Sequence, residues 1–309
     1  MPASSEYGVE HDLRILQLLA CTRVATPHQL HTWLTPIATD SSTIRKHLRG
    51  LAKDGLVAAN EKRRPHIWFL TDAGLSEARR AGLAEHRTTT VTGEHVAASP
   101  AFAHALAVTD TAIAFSRNLQ PDTEYGTALG EVGDWEVEVA HPLGAGGLLV
   151  PDAVLHLPYS NLPHAFLELD RATMSLGKLI NKVAAYDRYR HYAHRPTGPS
   201  PARASGAAPA GLPHWYTRYP RAAAQTKFPP LLIVLADKKK TTLDNRTADT
   251  LAGIRTLRGI HRRELAVGIT TLPTLQEHGP LNPIWHSATN DKPQRLAALI
   301  NGRREHGGG

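Results

Sequence analysis

The sequence predicts an α/β protein, α+β over the whole chain, in which a mainly helical N-terminal domain precedes a larger domain with a mixed sheet. Between residues 12 and 53, apolar residues recur at helical spacing in three runs. Two short strand-like runs, 56–59 and 66–70, then flank a basic turn. Further along, residues 230–237 form a continuous apolar run of the kind that is buried at the centre of a sheet.

Composition limits the class of protein. The 309 residues are enough for two domains, and 41% hydrophobic with 20% charged residues is typical of a globular protein. No apolar run approaches the ~20 residues that cross a bilayer. The polar N-terminus does not resemble a secretory signal, and the single cysteine, Cys21, excludes an intramolecular disulfide. We therefore expect a cytoplasmic protein with no membrane partner. Its formal net charge of +7 favours a polyanionic partner.

The N-terminal domain is predicted over residues 10–82, and helix-capping residues mark its elements. Thr26 can cap the second helix, Asp40 or Ser41 can cap the third, and Gly55 can end the third. A fourth helix follows the two short strands. The order helix, helix, helix, hairpin, helix is that of a winged helix-turn-helix.

The third helix carries the residues expected to contact DNA. If its apolar residues Ile44, Leu48 and Leu51 face the core, its polar and cationic residues project outward. Short polar residues and cations on one helix suit the major groove, and a basic turn suits the adjacent backbone. The predicted contacts to double-stranded DNA are Ser42, Thr43, Arg45, Lys46 and Arg49 on the helix and Lys62, Arg63 and Arg64 at the turn. Alternatively, these cations form a solvated face, or the domain contacts only another protein.

Residues 83–100 are predicted to be a linker, and residues 101–301 to be the second domain. An insertion at 196–211, rich in Pro, Ser, Ala and Gly, is expected to be disordered. The other expected elements are helices at 102–119, 175–191, 243–257 and 293–301 and strands at 135–139, 148–157, 164–170, 230–237 and 265–271. Their order predicts a mixed sheet with helices on both faces. No heptad repeat marks a surface for self-association, so the oligomeric state stays open.

Three carboxylates lie in or beside apolar strand-like runs of the second domain. Asp152, Glu168 and Asp170 are costly there unless they are paired or bind a metal. Together they could hold Mg²⁺ or Mn²⁺ through oxygen ligands. Either Glu136 or Glu138, from the preceding strand, could supply another carboxylate. The alternative is structural: Asp170 and Arg171 belong to an ion-pair network at a strand end, and no metal is bound.

The order Pro151-Asp152 followed by a strand with Glu168 resembles the core of PD-(D/E)xK nucleases, which have a restriction-endonuclease-like fold. That resemblance implies that Asp152 and Glu168 are metal ligands, with Asp170 a further ligand, and that a lysine orients or deprotonates the attacking water. This sequence has Asp170 where those enzymes usually have the lysine. Two lysines four residues apart on the following predicted helix share one face, so either Lys178 or Lys182 is a candidate catalytic replacement.

A second resemblance covers most of the chain. The sequence Pro-Asp-Ala, then Phe-Leu-Glu-Leu-Asp-Arg-Ala-Thr, then a helix with Leu-x-x-Lys and Tyr-x-x-Tyr resembles the replication-relaxation family of bacterial plasmid and mobile-element proteins. The resemblance includes the N-terminal winged helix and implies a role in plasmid replication or in the topological state of plasmid DNA, with replication or mobilisation proteins as possible partners. It leaves three functions open: a non-catalytic replication accessory, a Mg²⁺-dependent nickase or endonuclease, and a winged-helix transcriptional regulator.

Overall fold

The computed structural model describes residues 3–34, 41–62, 64–84, 92–117, 134–157, 162–193 and 211–301. Asp40, Arg63 and nearly all of the predicted insertion at 196–211 lie outside these ranges. The prediction of an α/β protein is confirmed, since helices accompany a mixed sheet of seven strands.

The N-terminal part follows the predicted order of three helices, a hairpin and a fourth helix. Its elements are α1 (Ala3–Thr22), α2 (Pro27–Leu34), α3 (Ser42–Lys53), β1 (Val57–Asn60), β2 (Ile67–Leu70) and α4 (Asp72–Arg80). β1 and β2 pair antiparallel, and Ala25, between the first two helices, forms a bridge to Trp68. The hairpin therefore has a third extended segment beside it.

Local hydrogen bonds explain where these helices begin and end. Thr26 accepts from the Gln29 N–H, and the Gln29 side chain accepts from the Thr26 N–H at 2.9 Å, so the two residues form a capping box for α2. Ser41 occupies the N-cap position of α3 but makes no side-chain capping bond. At the other end, Gly55 has φ +73° and, with Leu56, closes a Schellman motif onto Ala52 and Leu51.

Two helices follow, α5 (Gly93–Ala98) and α6 (Phe102–Arg117). The first lies in the segment predicted as a linker, where Thr92 caps it and where Val96 and Ala97 are buried against Phe69. The second is fixed to the N-terminal helices by two hydrogen bonds. Gln29 Nε2 donates to the Leu106 carbonyl at 2.8 Å, and Thr109 Oγ1 donates to the Val24 carbonyl at 2.8 Å.

The remaining strands and helices are listed here in chain order: β3 (Trp135–Val137), β4 (His141–Gly144), β5 (Gly147–Leu149), β6 (Ala153–His156), β7 (His164–Asp170), α7 (Leu176–His191), α8 (His214–Arg218), α9 (Pro220–Ala224), β8 (Leu231–Leu235), α10 (Lys240–Ile254), α11 (Arg258–His261), β9 (Val267–Thr271), α12 (Leu272–His278), β10 (Trp285–Ser287), β11 (Asn290–Gln294) and α13 (Leu296–Asn301). The large sheet has the order β11-β10-β9-β8-β7-β6-β3. Its three central strands, β7, β8 and β9, run parallel, and β10 and β11 are antiparallel.

The structure corrects one predicted strand and adds short elements. The run 148–157 is not one strand, because β5 pairs with β4 in a separate hairpin and β6 joins the large sheet. The hairpin turn contains Gly144, Ala145 and Gly146, all with positive φ. β10 and β11 and the short helices α8, α9, α11 and α12 did not emerge from the sequence pattern.

Residue contacts divide the chain into two units. The first contains Met1–Val137, Ala153–His156 and Leu275–Pro280; the second contains Glu138–Asp152, Leu157–Thr274 and Leu281–Gly309. This division differs from the predicted limits of 10–82 and 101–301, because α6 bonds to the N-terminal helices rather than beginning a new domain. In the second unit, β7 and β8 are buried along their whole lengths.

Candidate functional site

The second unit brings two of the predicted carboxylates and one of the predicted lysines together. Asp152 lies just before β6, Glu168 lies on β7, and Lys182 lies on α7. Lys182 Nζ forms an ion pair with Glu168 Oε2 and is 3.7 Å from Asp152 Oδ1. The other oxygen of Asp152 accepts from the Leu169 N–H at 2.7 Å. We call Asp152, Glu168 and Lys182 the carboxylate–lysine cluster.

Helix α7 decides which lysine reaches the carboxylates. Ser175 caps the helix by accepting from the Lys178 N–H, so Lys178 lies in the first turn, where its side chain is exposed. Lys182 follows one turn later and is only 27% exposed. Of the two candidate lysines, the structure therefore places Lys182 with the acids and Lys178 in solvent.

Burial and neighbouring charges shift the pKa values of two groups in the cluster. Burial raises the pKa of Glu168 well above its ordinary range, the Asp152 carboxylate acts in the same direction, and Lys182 and Tyr186 offset only part of the shift. Burial by itself would lower the pKa of Lys182, but the carboxylates of Glu168 and Asp152 outweigh it, so that this pKa is raised. Glu168 holds a proton more tightly than usual chiefly because it is buried, and Lys182 does so because two carboxylates lie beside its ammonium group. A proton or a cation at Glu168 would offset the cost of burying its carboxylate.

Tyr186 completes the surroundings of Glu168. Its hydroxyl donates to Glu168 Oε1, and its side chain is fully buried. Burial and the neighbouring Glu168 carboxylate raise the pKa of the tyrosine well above its usual value, so it remains a hydrogen-bond donor. Each oxygen of Glu168 thus has its own partner on α7, Tyr186 for one and Lys182 for the other.

Asp170 is held elsewhere. Its carboxylate accepts from Arg246 Nε of α10 and, through Oδ1, from the Ala172 N–H at 2.9 Å. Arg171 forms a separate ion pair with Asp237. The structure therefore corrects the expected three-carboxylate arrangement. Within the described ranges, no group of three or more His, Cys, Asp or Glu side chains is arranged to hold a metal ion.

The two other candidate acids have different surroundings. Glu136 is buried in β3 and lies 3.0 Å from His156 Nε2 on the paired strand β6. Glu138 follows β3 with φ +54° and is exposed. The Glu138 N–H donates to the Asp152 carbonyl at 3.3 Å, whereas the Glu136 carboxylate is paired with His156.

On α3, the predicted division into two faces is present. Ile44, Leu48 and Leu51 are buried. The predicted DNA contacts on this helix are all exposed: Ser42, Thr43, Arg45, Lys46 and Arg49. Lys62 and Arg64 are exposed at the hairpin turn, and Arg63 lies outside the described residues. The helix and the turn therefore present cations to solvent within one unit.

Comparison with known proteins identifies the family. The model of the replication-relaxation family matches residues 16–201, more than half of the chain. The chain belongs to the replication-relaxation family. The match runs from α1 through α7 and so includes α3 and all three residues of the carboxylate–lysine cluster. No curated protein and no solved structure matches the chain.

For a replication-relaxation protein, the family indicates a role in the replication or relaxation of plasmid or mobile-element DNA. In the part of the chain described here, no helix has both the length and the apolar character needed to span a membrane. Sequence reasoning missed Tyr186, which contacts Glu168, and Arg246, which pairs with Asp170. Tyr186 carried a usable signal, because it lies four residues after Lys182 and so shares its helical face.

Proposed function

We propose that this replication-relaxation protein binds double-stranded DNA through α3 and the β1–β2 turn, which act as the recognition helix and wing of a winged helix. The observation that carries the proposal is the division of α3 into a buried apolar face and an exposed face with Arg45, Lys46 and Arg49. Arginine and lysine on such a face can contact phosphates and guanine edges. Such contacts would place the protein on plasmid DNA.

The surroundings of α3 support this role. The helix ends in a Schellman motif at Gly55, and its apolar residues are buried. A recognition helix has to be held rigidly, since its register on the duplex is fixed by several simultaneous contacts. The short polar residues Ser42 and Thr43 leave room at the start of the helix for close approach to base edges.

Fluorescence anisotropy with a short labelled duplex tests the proposal. We expect Arg45→Ala/Arg49→Ala to weaken binding by tenfold or more, because each good contact to phosphate or base contributes about 1–3 kcal/mol. Arg79→Ala/Arg80→Ala is the matched control: it removes the same charge from exposed positions of α4. Equal losses of DNA affinity in both variants would mean that only the net charge of the protein matters, which would contradict a specific role for α3.

A second function is favoured by the carboxylate–lysine cluster: metal-dependent cleavage of a phosphodiester bond. The donors fit Mg²⁺ or Mn²⁺, because Asp152 and Glu168 offer hard carboxylate oxygens that converge on one ammonium group. Mg²⁺ usually keeps several waters and needs only one or two protein carboxylates. Asp152 and Glu168 would hold the ion, whose Lewis acidity offsets the charge that develops on the phosphate.

Lys182 has the remaining chemical role in that function. Its ammonium group lies between the two carboxylates, so it can donate a hydrogen bond to an attacking water or to a phosphate oxygen. In the nuclease pattern the lysine stands on the strand, at the position that Asp170 occupies here. Lys182 would supply the same group from α7. This arrangement of two acids and one lysine supports the catalytic candidate, which the sequence alone left as an alternative to a non-catalytic role.

Incubation with supercoiled plasmid and Mg²⁺ or Mn²⁺ tests this candidate. Wild type is expected to nick or linearise the plasmid, whereas Asp152→Asn, Glu168→Gln and Lys182→Met should lose that activity and still bind DNA. Asp249→Asn, at an exposed position of α10, is the control for a neutral change of charge. Plasmid that stays supercoiled while wild type binds it would contradict cleavage and leave a replication accessory or a transcriptional regulator.

A further inference from the structure

Tyr186 has a contact that the packing of its ring does not require. The residue is fully buried, and its ring lies 5.2 Å from that of Phe166, measured between centroids. A phenylalanine could fill the same space. The hydroxyl is the additional feature, and it donates to Glu168 Oε1, a carboxylate that is only 3% exposed. The tyrosine hydroxyl therefore donates its one hydrogen bond to an acid of the carboxylate–lysine cluster.

The positions of Lys182 and Tyr186 on α7 determine how the Glu168 carboxylate is oriented. Lys182 and Tyr186 are four residues apart and so project from one face of the helix. Lys182 engages Glu168 Oε2, and Tyr186 engages Oε1. With one oxygen bonded to a rigid aromatic side chain, rotation of the carboxylate about its terminal bond is opposed, and Oε2 stays directed toward Lys182. Asp152, 3.7 Å from the same ammonium group, lies on that side.

We propose that Tyr186 is a positioning residue: its hydroxyl fixes Glu168 Oε1 so that Oε2 faces Asp152 and Lys182 and is available to a divalent cation. The inference rests on the proposed metal-dependent function of the cluster. Residues that orient a metal ligand through its second oxygen commonly change metal affinity or activity by about 10- to 100-fold when they are replaced. Tyr186 fits that class because it contacts the ligand and not the cation.

Calorimetric titration with Mn²⁺ alone, without DNA, tests the proposal on the full chain. Tyr186→Phe keeps the ring and removes the hydroxyl, and we expect about 10-fold or greater weakening of Mn²⁺ binding. Tyr189→Phe is the matched control, because it removes another largely buried hydroxyl on the same helix, one that contacts His214 instead. In a Glu168→Gln background, Tyr186→Phe should have no further effect, because the hydroxyl acts through Glu168.

The outcomes separate this inference from the function on which it rests. Wild type that binds Mn²⁺ with an affinity unchanged in Tyr186→Phe overturns the positioning role alone. Wild type that binds no Mn²⁺, or that binds it equally well after Asp152→Asn, overturns both. If Tyr186→Phe does not fold, 3-fluorotyrosine placed at position 186 keeps the shape and gives a more acidic donor. The Mn²⁺ affinity should then change in the protein with 3-fluorotyrosine at position 186 but not in the protein with it at position 189. An unchanged affinity in the first protein overturns the proposal.

Discussion

Arg246 donates its Nε–H to the carboxylate of Asp170, whereas Glu168, two residues earlier on the same strand, is paired with Lys182. A second nitrogen of Arg246 donates to the Met174 carbonyl at 2.9 Å. Alternate residues of a strand share one face, so Glu168 and Asp170 project the same way. Their roles differ because Glu168 meets α7 and Asp170 meets α10.

Removal of Arg246 should be strongly destabilising. Asp170 is 1% exposed, so Arg246→Met would leave a buried carboxylate without its cation, which typically costs about 3–5 kcal/mol. Urea unfolding of the full chain measures the change. Arg255→Met, at the end of the same helix, removes the partner of the exposed Asp291 and should change stability by no more than about 0.5 kcal/mol. Similar losses in both variants would contradict a structural role for the Asp170 pair.

The salt dependence of DNA affinity should report the contacts of α3. If Arg45 contacts one phosphate, Arg45→Ala should reduce the slope of log Kobs against log salt concentration by about 0.9. The slope comes from anisotropy titrations over a series of NaCl concentrations. Arg79→Ala provides the comparison and should leave the slope unchanged. A slope that Arg45→Ala does not alter would remove Arg45 from the phosphate contacts.

His141 should make stability fall in acid. Burial lowers the pKa of this fully buried side chain to about 4, and its Nε2 lies 2.5 Å from the Tyr219 hydroxyl. Because the unfolded chain binds the proton near the ordinary value of 6.5, the contribution is present above that pH and is lost as the pH falls toward 4. The loss is of order 3 kcal/mol.

Urea unfolding at neutral pH and near pH 4 measures this contribution, with His141→Gln as the comparison. The glutamine retains a polar group beside Tyr219 but does not titrate. We expect the variant to lose less stability than wild type over the same interval. Parallel curves for the two proteins would assign the acid sensitivity to other groups.

Two glycines in the N-terminal part should respond to alanine with opposite signs. A Cβ on Gly74 would lie 1.9 Å from the Leu56 carbonyl oxygen, a backbone atom that cannot move aside easily, whereas a Cβ on Gly50 would meet nothing within 4 Å. Gly74→Ala should destabilise the fold by about 1–3 kcal/mol, and Gly50→Ala should stabilise it by about 0.5–1 kcal/mol. Thermal unfolding distinguishes them, and a neutral Gly74→Ala would mean that α4 can shift away from Leu56.

The elements that the sequence predicted well carry strong local signals. α3 has apolar residues at helical spacing and a glycine where its chain turns, and both features act over a few residues. β10 and β11 were missed because they are short and β11 is largely exposed, which leaves no alternation of buried and exposed residues to detect. Their pairing depends on contacts that the sequence pattern does not contain.

In the candidate site, too, the features with a local sequence signal could be predicted and those that depend on long-range contacts could not. Spacing alone placed Lys178 and Lys182 on one helical face, and the position of the helix beside β7 was needed to choose between them. Arg246 is 76 residues away from Asp170, so no local pattern indicates their pairing. Asp170 was therefore expected to join the other acids, because a long-range partner is visible only in the folded chain.

The bonds from Gln29 to Leu106 and from Thr109 to Val24 determine how the molecule can be divided for experiment. A truncation after residue 82 would remove α6, and with it the acceptor of Gln29 and the donor to Val24. The Gln29 side chain also caps α2, so the cut would disturb the helix that precedes α3. An N-terminal fragment made to test the proposed DNA binding should therefore extend beyond Arg117, the last residue of α6. A fragment shortened to 82 residues would therefore be an unsuitable test of the proposed DNA binding.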